Sequence, residues 1–159
     1  MEIRRILAPT DFSDPSLQAI AYAFELAQTF GAKLSLLHVI ELPVYPMEVY
    51  PLLEELEQDA RTALARLLPE AEGAHVDITH LVEIGLPYQK ILQTAAAEKV
   101  DLIVIATHGR TGLSHLVLGS VAERVVRLAP CPVLTMRAAS LRVTTGRVSS
   151  DISERVPLG

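Results

Sequence analysis

Three glycines and a serine, spaced along residues 106–120, are the part of this chain best suited to chemistry. The segment reads Ala106-Thr-His-Gly-Arg-Thr-Gly-Leu-Ser-His-Leu-Val-Leu-Gly-Ser120. It leaves an apolar run, Leu102 to Ile105, that reads as a buried strand. It then passes Gly109 and Gly112 and closes at Gly119-Ser120, where a helix is expected to begin. Glycine lets a backbone approach a ligand closely, because it has no Cβ to clash. A helix N-terminus adds unpaired N–H groups and the positive end of the helix dipole, which together make an anion site. The combination suits the phosphates of a nucleotide.

Other residues compete for attention and carry ordinary readings as well. Ser120 with Glu123 three residues on reads as a capping box, which satisfies helix donors without a ligand. Asp11, at the end of the first strand, is a candidate site acid or a turn cap. His108 and His115 lie seven apart with no third ligand evident, so no zinc site is indicated. His38, His75 and His80 read as strand or near-strand residues, and Cys131, between two prolines, as a buried thiol. The chain has no G-x-x-x-x-G-K-[ST] and no G-x-G-x-x-G, so neither a Walker-type loop nor a dinucleotide fingerprint is present. No paired carboxylates and no Ser-His-Asp set can be assigned to the glycine segment.

Alternating strand and helix patterns must position that segment. Ile3–Ala8 reads as strand one. Asp14 before Pro15 is the expected N-cap of a helix that carries Leu17, Ile20, Ala21 and Phe24 and stops at Gly31. Leu34–Ile40 is strand two, and Pro43–Pro51 a loop. A helix follows with Leu52, Leu53, Leu56, Ala60, Ala63, Leu64 and Leu67 on its apolar face, and Glu54, Glu55, Glu57, Asp59 and Arg61 on its solvated side. Val76–Ile84 is strand three, Pro87–Glu98 a helix, Leu102–Ile105 strand four, Ser120–Ala129 a helix and Val133–Met136 strand five. Strands separated by helices imply right-handed βαβ units, hence α/β architecture with a doubly wound parallel sheet. Winding outward from strand one gives the order 3-2-1-4-5. Ligands in such sheets bind where the order reverses, between strands one and four.

Composition sets the frame. The chain has 159 residues, half of them hydrophobic, a net charge of −5 and one cysteine. One domain with a substantial core follows, and an intramolecular disulfide does not. No basic patch suggests nucleic acid, no run reaches the ~18 apolar residues of a membrane span, and the N-terminus shows no secretory pattern. The expectation is a cytoplasmic protein. Residues 138–159 are rich in Ser, Thr and Arg and read as a tail, loosely ordered or docked on a partner, behind a domain of residues 1–137.

The pattern small-x-x-Gly, nine residues, Gly-Ser resembles the universal stress protein family in its ATP-binding branch, whose motif begins with glycine where this chain has Ala106. The resemblance extends to Ile6-Leu-Ala-Pro-Thr-Asp-Phe-Ser-Asp14, Leu37-His-Val39, His108-Gly-Arg-Thr-Gly112, Gly119-Ser-Val-Ala-Glu-Arg124 and Pro130-Cys-Pro-Val133, and covers residues 1–137. It implies a Rossmann-like fold of the adenine nucleotide alpha hydrolase type. It also implies a stress-response regulatory module that binds ATP or another adenine nucleotide. Pro9, Thr10 and Asp11 would lie along the adenosine, with Val39 offering backbone groups to adenine. Ala106, Gly109, Arg110, Gly119, Ser120 and Val121 would wrap the ribose and phosphates.

Three functional readings stand at this point. The first is the nucleotide-binding module, working as a homodimer and with a further protein partner that the sequence does not identify. Strand five, with Val133, Leu134 and Met136, ends the winding, and an exposed edge of that kind invites pairing with a second copy. The second is a nucleotide-independent dimeric interaction protein in which the glycine segment survives as structure, a reading that Ala106 favours. The third is a weakly active ATP hydrolase, in which magnesium or manganese bound through the phosphates supplies the polarisation.

Overall fold

The computed structural model describes residues 2–41, 50–68, 76–107 and 118–137. Within them the chain runs β1 (Arg5–Thr10), α1 (Asp14–Phe30), β2 (Lys33–Ile40), α2 (Tyr50–Leu67), β3 (Ile78–Ile84), α3 (Pro87–Ala97), β4 (Leu102–Ala106), α4 (Ser120–Leu128) and β5 (Val133–Met136). The five strands form one sheet in the order β3-β2-β1-β4-β5, and every neighbouring pair is parallel. The expected winding is the observed one.

Alternation along the central strands divides the core in two. Ile6, Ala8, Leu34, Leu36, Leu102 and Val104 point to the face covered by α1 and α2, where they meet Ile20, Ala23, Leu64 and Leu67. Leu7, Leu37, Ile103 and Ile105 point to the other face and meet Ile91 and Ala95 of α3 and Ala122 and Val125 of α4. Burial on both sides is why β1 and β4 read as unbroken apolar runs rather than alternating ones.

Local chemistry moves several boundaries. β1 starts at Arg5 rather than Ile3, and at its start the Arg4 and Arg5 amides both donate to the Asp101 carboxylate, each at 2.9 Å. The N-cap of α1 is Ser13, not Asp14: its carbonyl accepts the Leu17 N–H at 2.9 Å, so Asp14 is already helical and Pro15 falls in the first turn. Gly31 ends α1 in the left-handed conformation, φ 63°, as its position predicts. The loop expected at 43–51 lies outside the described residues except for Tyr50 and Pro51, which begin α2. On α2, Ala60, Leu64 and Leu67 are buried, whereas Leu56 is exposed. Met136, expected on the free edge of β5, is instead only 9% exposed and packs in the α1 core. The tail expected after Arg137 lies outside the described residues, as do His75, His108 and His115.

Candidate functional site

The β1–β4 register aligns Ile6 with Leu102 and Leu7 with Ile103. Thr10 and Ala106, each four residues further on, are the last residues of these two parallel neighbours and end at the same edge of the sheet. From there β1 feeds α1 on one face and β4 leads on to α4 on the other. That divergence opens a crevice at the carboxyl ends of the strands.

The β1 side of the crevice is a tight polar corner. Phe12 turns the chain at φ 62°, a left-handed conformation that costs a side-chain-bearing residue about 1–2 kcal/mol. Hydrogen bonds hold it there. The Phe12 N–H donates to Thr10 Oγ1 at 2.9 Å, and the Asp11 carboxylate accepts from the Ser13 N–H at 3.1 Å and from the Ser13 hydroxyl. Ser16 Oγ donates to the Ser13 carbonyl at 2.8 Å and lies 2.8 Å from Thr10 Oγ1. With the Ser16 proton so used, the Thr10 hydroxyl is the donor between them. Asp11 thus does cap a turn, and its half-buried carboxylate stands at the end of β1. From β2, His38 Nδ1 lies 2.8 Å from the Thr10 carbonyl, and its ring packs on Phe12 with centroids 4.5 Å apart. Pro9 is buried behind the corner, and Val39 is half-buried on the α3–α4 face.

The β4 side is a neck. Thr107, buried just after the strand, donates its N–H to Met136 O at 2.8 Å and accepts the Gly119 N–H at 2.6 Å. The two ends of the glycine segment are therefore tied together directly beside the corner. Ala106 is 8% exposed, with its methyl in the α1 core next to Val104 and Met136. Gly109 and Arg110 lie outside the described residues. Beyond the neck, Gly119 is the N-cap of α4 and Ser120 its first residue, so the expected capping box does not form, and no side chain caps this end. Glu123 instead donates its N–H to the Gly119 carbonyl at 2.9 Å. Ser120 is exposed and Val121 half-buried. Arg124 anchors α4 by lying 4.6 Å over the Tyr88 ring of α3.

Away from the crevice, the cysteine is less buried than expected. Cys131 is half-buried; burial, and then the nearby Asp101 charge, push its thiol pKa up, away from reactivity. Among the described residues no cluster of three or more His, Cys, Asp or Glu side chains suits a metal ion. No helix among them is long and apolar enough to cross a membrane. The corner itself was not foreseen beyond Thr10 and Asp11. The serines at 13 and 16 are a fair hint of a helix start, but nothing in the sequence marks a left-handed phenylalanine.

Strand order and register define a doubly wound parallel α/β protein with its topological switch point between β1 and β4. The universal stress protein family matches residues 2–137, and this chain belongs to it. A universal stress protein of Methanocaldococcus jannaschii is 39% identical over 140 residues, 84% of this chain and 82% of that one. The solved structure of a second protein of that organism, MJ0577, superposes with a TM-score of 0.77 at 29% identity, covering 86% of this chain and 97% of that one. A universal stress protein solved in complex with cAMP superposes with a TM-score of 0.59 at 27% identity, covering 87% of this chain and all of that one.

Proposed function

We propose that this protein is an adenine-nucleotide-binding regulatory module of the stress response, with ATP as its ligand of first choice, and that it acts in the cytoplasm as a homodimer. The observation that carries the reading is the Thr107–Gly119 neck, which closes the glycine segment on itself at the switch point and presents the open end of α4 there. Gly119 gives its own N–H to the neck, so the donors left for phosphate are the first-turn amides beyond it, those of Ser120, Val121 and Ala122. A few such bonds to charged oxygens, at about 1.5–3 kcal/mol each, reach the ~8 kcal/mol of micromolar binding. Gly109 and Arg110 complete the phosphate side, and Pro9, Thr10, Asp11 and Val39 the nucleoside side. The cAMP complex of a relative supports an adenine nucleotide in this crevice.

Ala106 does not argue against the reading. Its methyl is already packed in the α1 core and leaves the neck undisturbed. Magnesium or manganese would enter with the phosphates, since no described cluster provides a protein site for it. On this reading residues 1–137 bind nucleotide, and 138–159 are dispensable for it. Titration calorimetry with ATP, ADP, AMP and cAMP tests the proposal. Micromolar binding of at least one supports it, and no heat with any of the four at millimolar concentration overturns it.

A further inference from the structure

We propose that His38 is a positioning residue of this crevice: it holds Phe12 in its left-handed turn and thereby aims the Asp11 carboxylate. The inference rests on the nucleotide reading for its affinity readout, but its geometry stands apart from any ligand. Two contacts carry it. A main-chain carbonyl only accepts, so the 2.8 Å contact between His38 Nδ1 and Thr10 O makes Nδ1 the protonated nitrogen and Thr10 the acceptor. The same ring packs on Phe12 at 4.5 Å between centroids, with the planes tilted by 39°. One side chain from β2 thus grips the residue before Asp11 and the residue after it.

The need for such a grip lies in the backbone. A phenylalanine with φ 62° is an outlier that persists only where its surroundings over-determine it. Below Phe12 the corner is tied by Thr10 Oγ1, Ser13 and Ser16, all of which belong to the same stretch of chain. Phe12 also packs against the α1-side core, and His38, the register partner of Thr10 on β2, adds a hydrogen bond and a ring contact from a different strand. If the turn at Phe12 relaxed to negative φ, the peptide planes on both sides of it would rotate, and the Asp11–Ser13 bonds would go with them. The carboxylate would then leave the end of β1 that it now marks.

The logic predicts a coupling between positions 12 and 38. Glycine adopts positive φ without strain, so a glycine at 12 makes the grip unnecessary. His38→Leu should weaken ATP binding by about fivefold to tenfold, the worth of one lost hydrogen bond and its packing. His38→Asn, whose Nδ2 stands where the imidazole Nδ1 does, should recover part of the loss. Adding Phe12→Gly to His38→Leu should recover most of it, a non-additive result. Inorganic triphosphate separates the two halves of the site. Its affinity should be unchanged in His38→Leu, because Asp11 faces the nucleoside half.

Positive φ at residue 12 is also read without ligand, by the strong intraresidue Hα–HN cross-peak in the nuclear Overhauser spectrum. The peak should be strong in the wild type, weak in His38→Leu and strong again in His38→Asn. A His38→Leu protein that keeps both wild-type ATP affinity and the strong Phe12 cross-peak overturns the inference. Should His38→Leu not fold, the double variant with Phe12→Gly folds and binds if the inference holds, and its failure to do either overturns it. A wild type that binds no nucleotide sinks the functional reading alone, because the cross-peak series still decides the role of His38.

Discussion

At the scale of single residues, what distinguishes the β4 side of this crevice is how little of it depends on side-chain chemistry. Gly119 has φ −70° and ψ 155°, a conformation open to any residue, so its dihedrals do not explain the glycine. On the proposed function, close approach of phosphate does. Gly119→Val should therefore leave the fold intact and remove ATP binding, by at least about 2.8 kcal/mol, a hundredfold. Calorimetry beside a thermal melt checks both halves, and wild-type affinity in a folded variant would move the phosphate site elsewhere. Ala106 gives the opposite expectation. Its methyl belongs to the core, so Ala106→Gly should cost about 1–2 kcal/mol of stability, from the lost methyl and the added backbone freedom. ATP affinity should be equal or modestly higher. Affinity that appears only in the glycine variant would instead make the natural protein a nucleotide-independent member of its fold.

At the scale of elements, the order of strands and helices was legible because each carries a clear period or an unbroken apolar run. Leu102–Ala106 has no alternation to misread, and Pro15, Gly31 and Pro87 punctuate the helices where physics puts them. What the sequence did not disclose depends on partners distant along the chain. Asp101 takes the amides at the start of β1, Thr107 takes the Gly119 N–H, and Met136 turns into the core because α1 covers that side of β5. The Phe12 turn is of the same kind: a local conformation fixed by a side chain 26 positions away. His80 on β3 is another consequence of packing. Its neighbours at strand spacing, Ile78 and Val82, pack on the α1–α2 core, and its Nε2 is buried with no hydrogen-bond partner among the described residues. Burial lowers its pKa from the ordinary 6.5. The unfolded chain then binds the proton more readily than the folded one, so stability is full above about pH 6.5 and falls as the pH drops below that value toward the folded pKa. Urea midpoints at pH 7.5 and 5.5 should differ more for the wild type than for His80→Leu. Equal differences in the two proteins would show that His80 contributes nothing to acid sensitivity.

At the scale of the whole molecule, the sheet ends in an edge that the domain does not cover with a sixth strand among the described residues. The ladder says which groups of β5 are spoken for. Ile103 N donates to Pro132 O, and Thr107 N to Met136 O, so the even-numbered residues of β5 turn their main-chain groups toward β4. In a strand the alternate residues face the other way, which leaves Val133 and Thr135 with N–H and C=O directed at the free edge. Val133 and Leu134 are half-buried there, and Thr135 is exposed. On the neighbouring α4, Val126 and Leu128 are 46% and 59% exposed, an apolar supplement to the same side of the molecule. An open edge with apolar surroundings is a liability unless paired, and pairing with a second copy about a two-fold axis satisfies the same groups on both chains. Because only the odd-numbered residues face outward, proline at 135 removes a donor of the edge without touching the β4 ladder. Thr135→Pro should therefore weaken the proposed homodimer by about tenfold or more while the melting temperature of the monomeric fold holds. Leu134→Pro, one residue away, should instead break the inner ladder and lower the stability of the domain itself. Sedimentation across micromolar concentrations distinguishes these outcomes. A wild type that is monomeric at high micromolar concentration, or a Thr135→Pro protein that dimerises as well as the wild type, would rule out assembly through this edge.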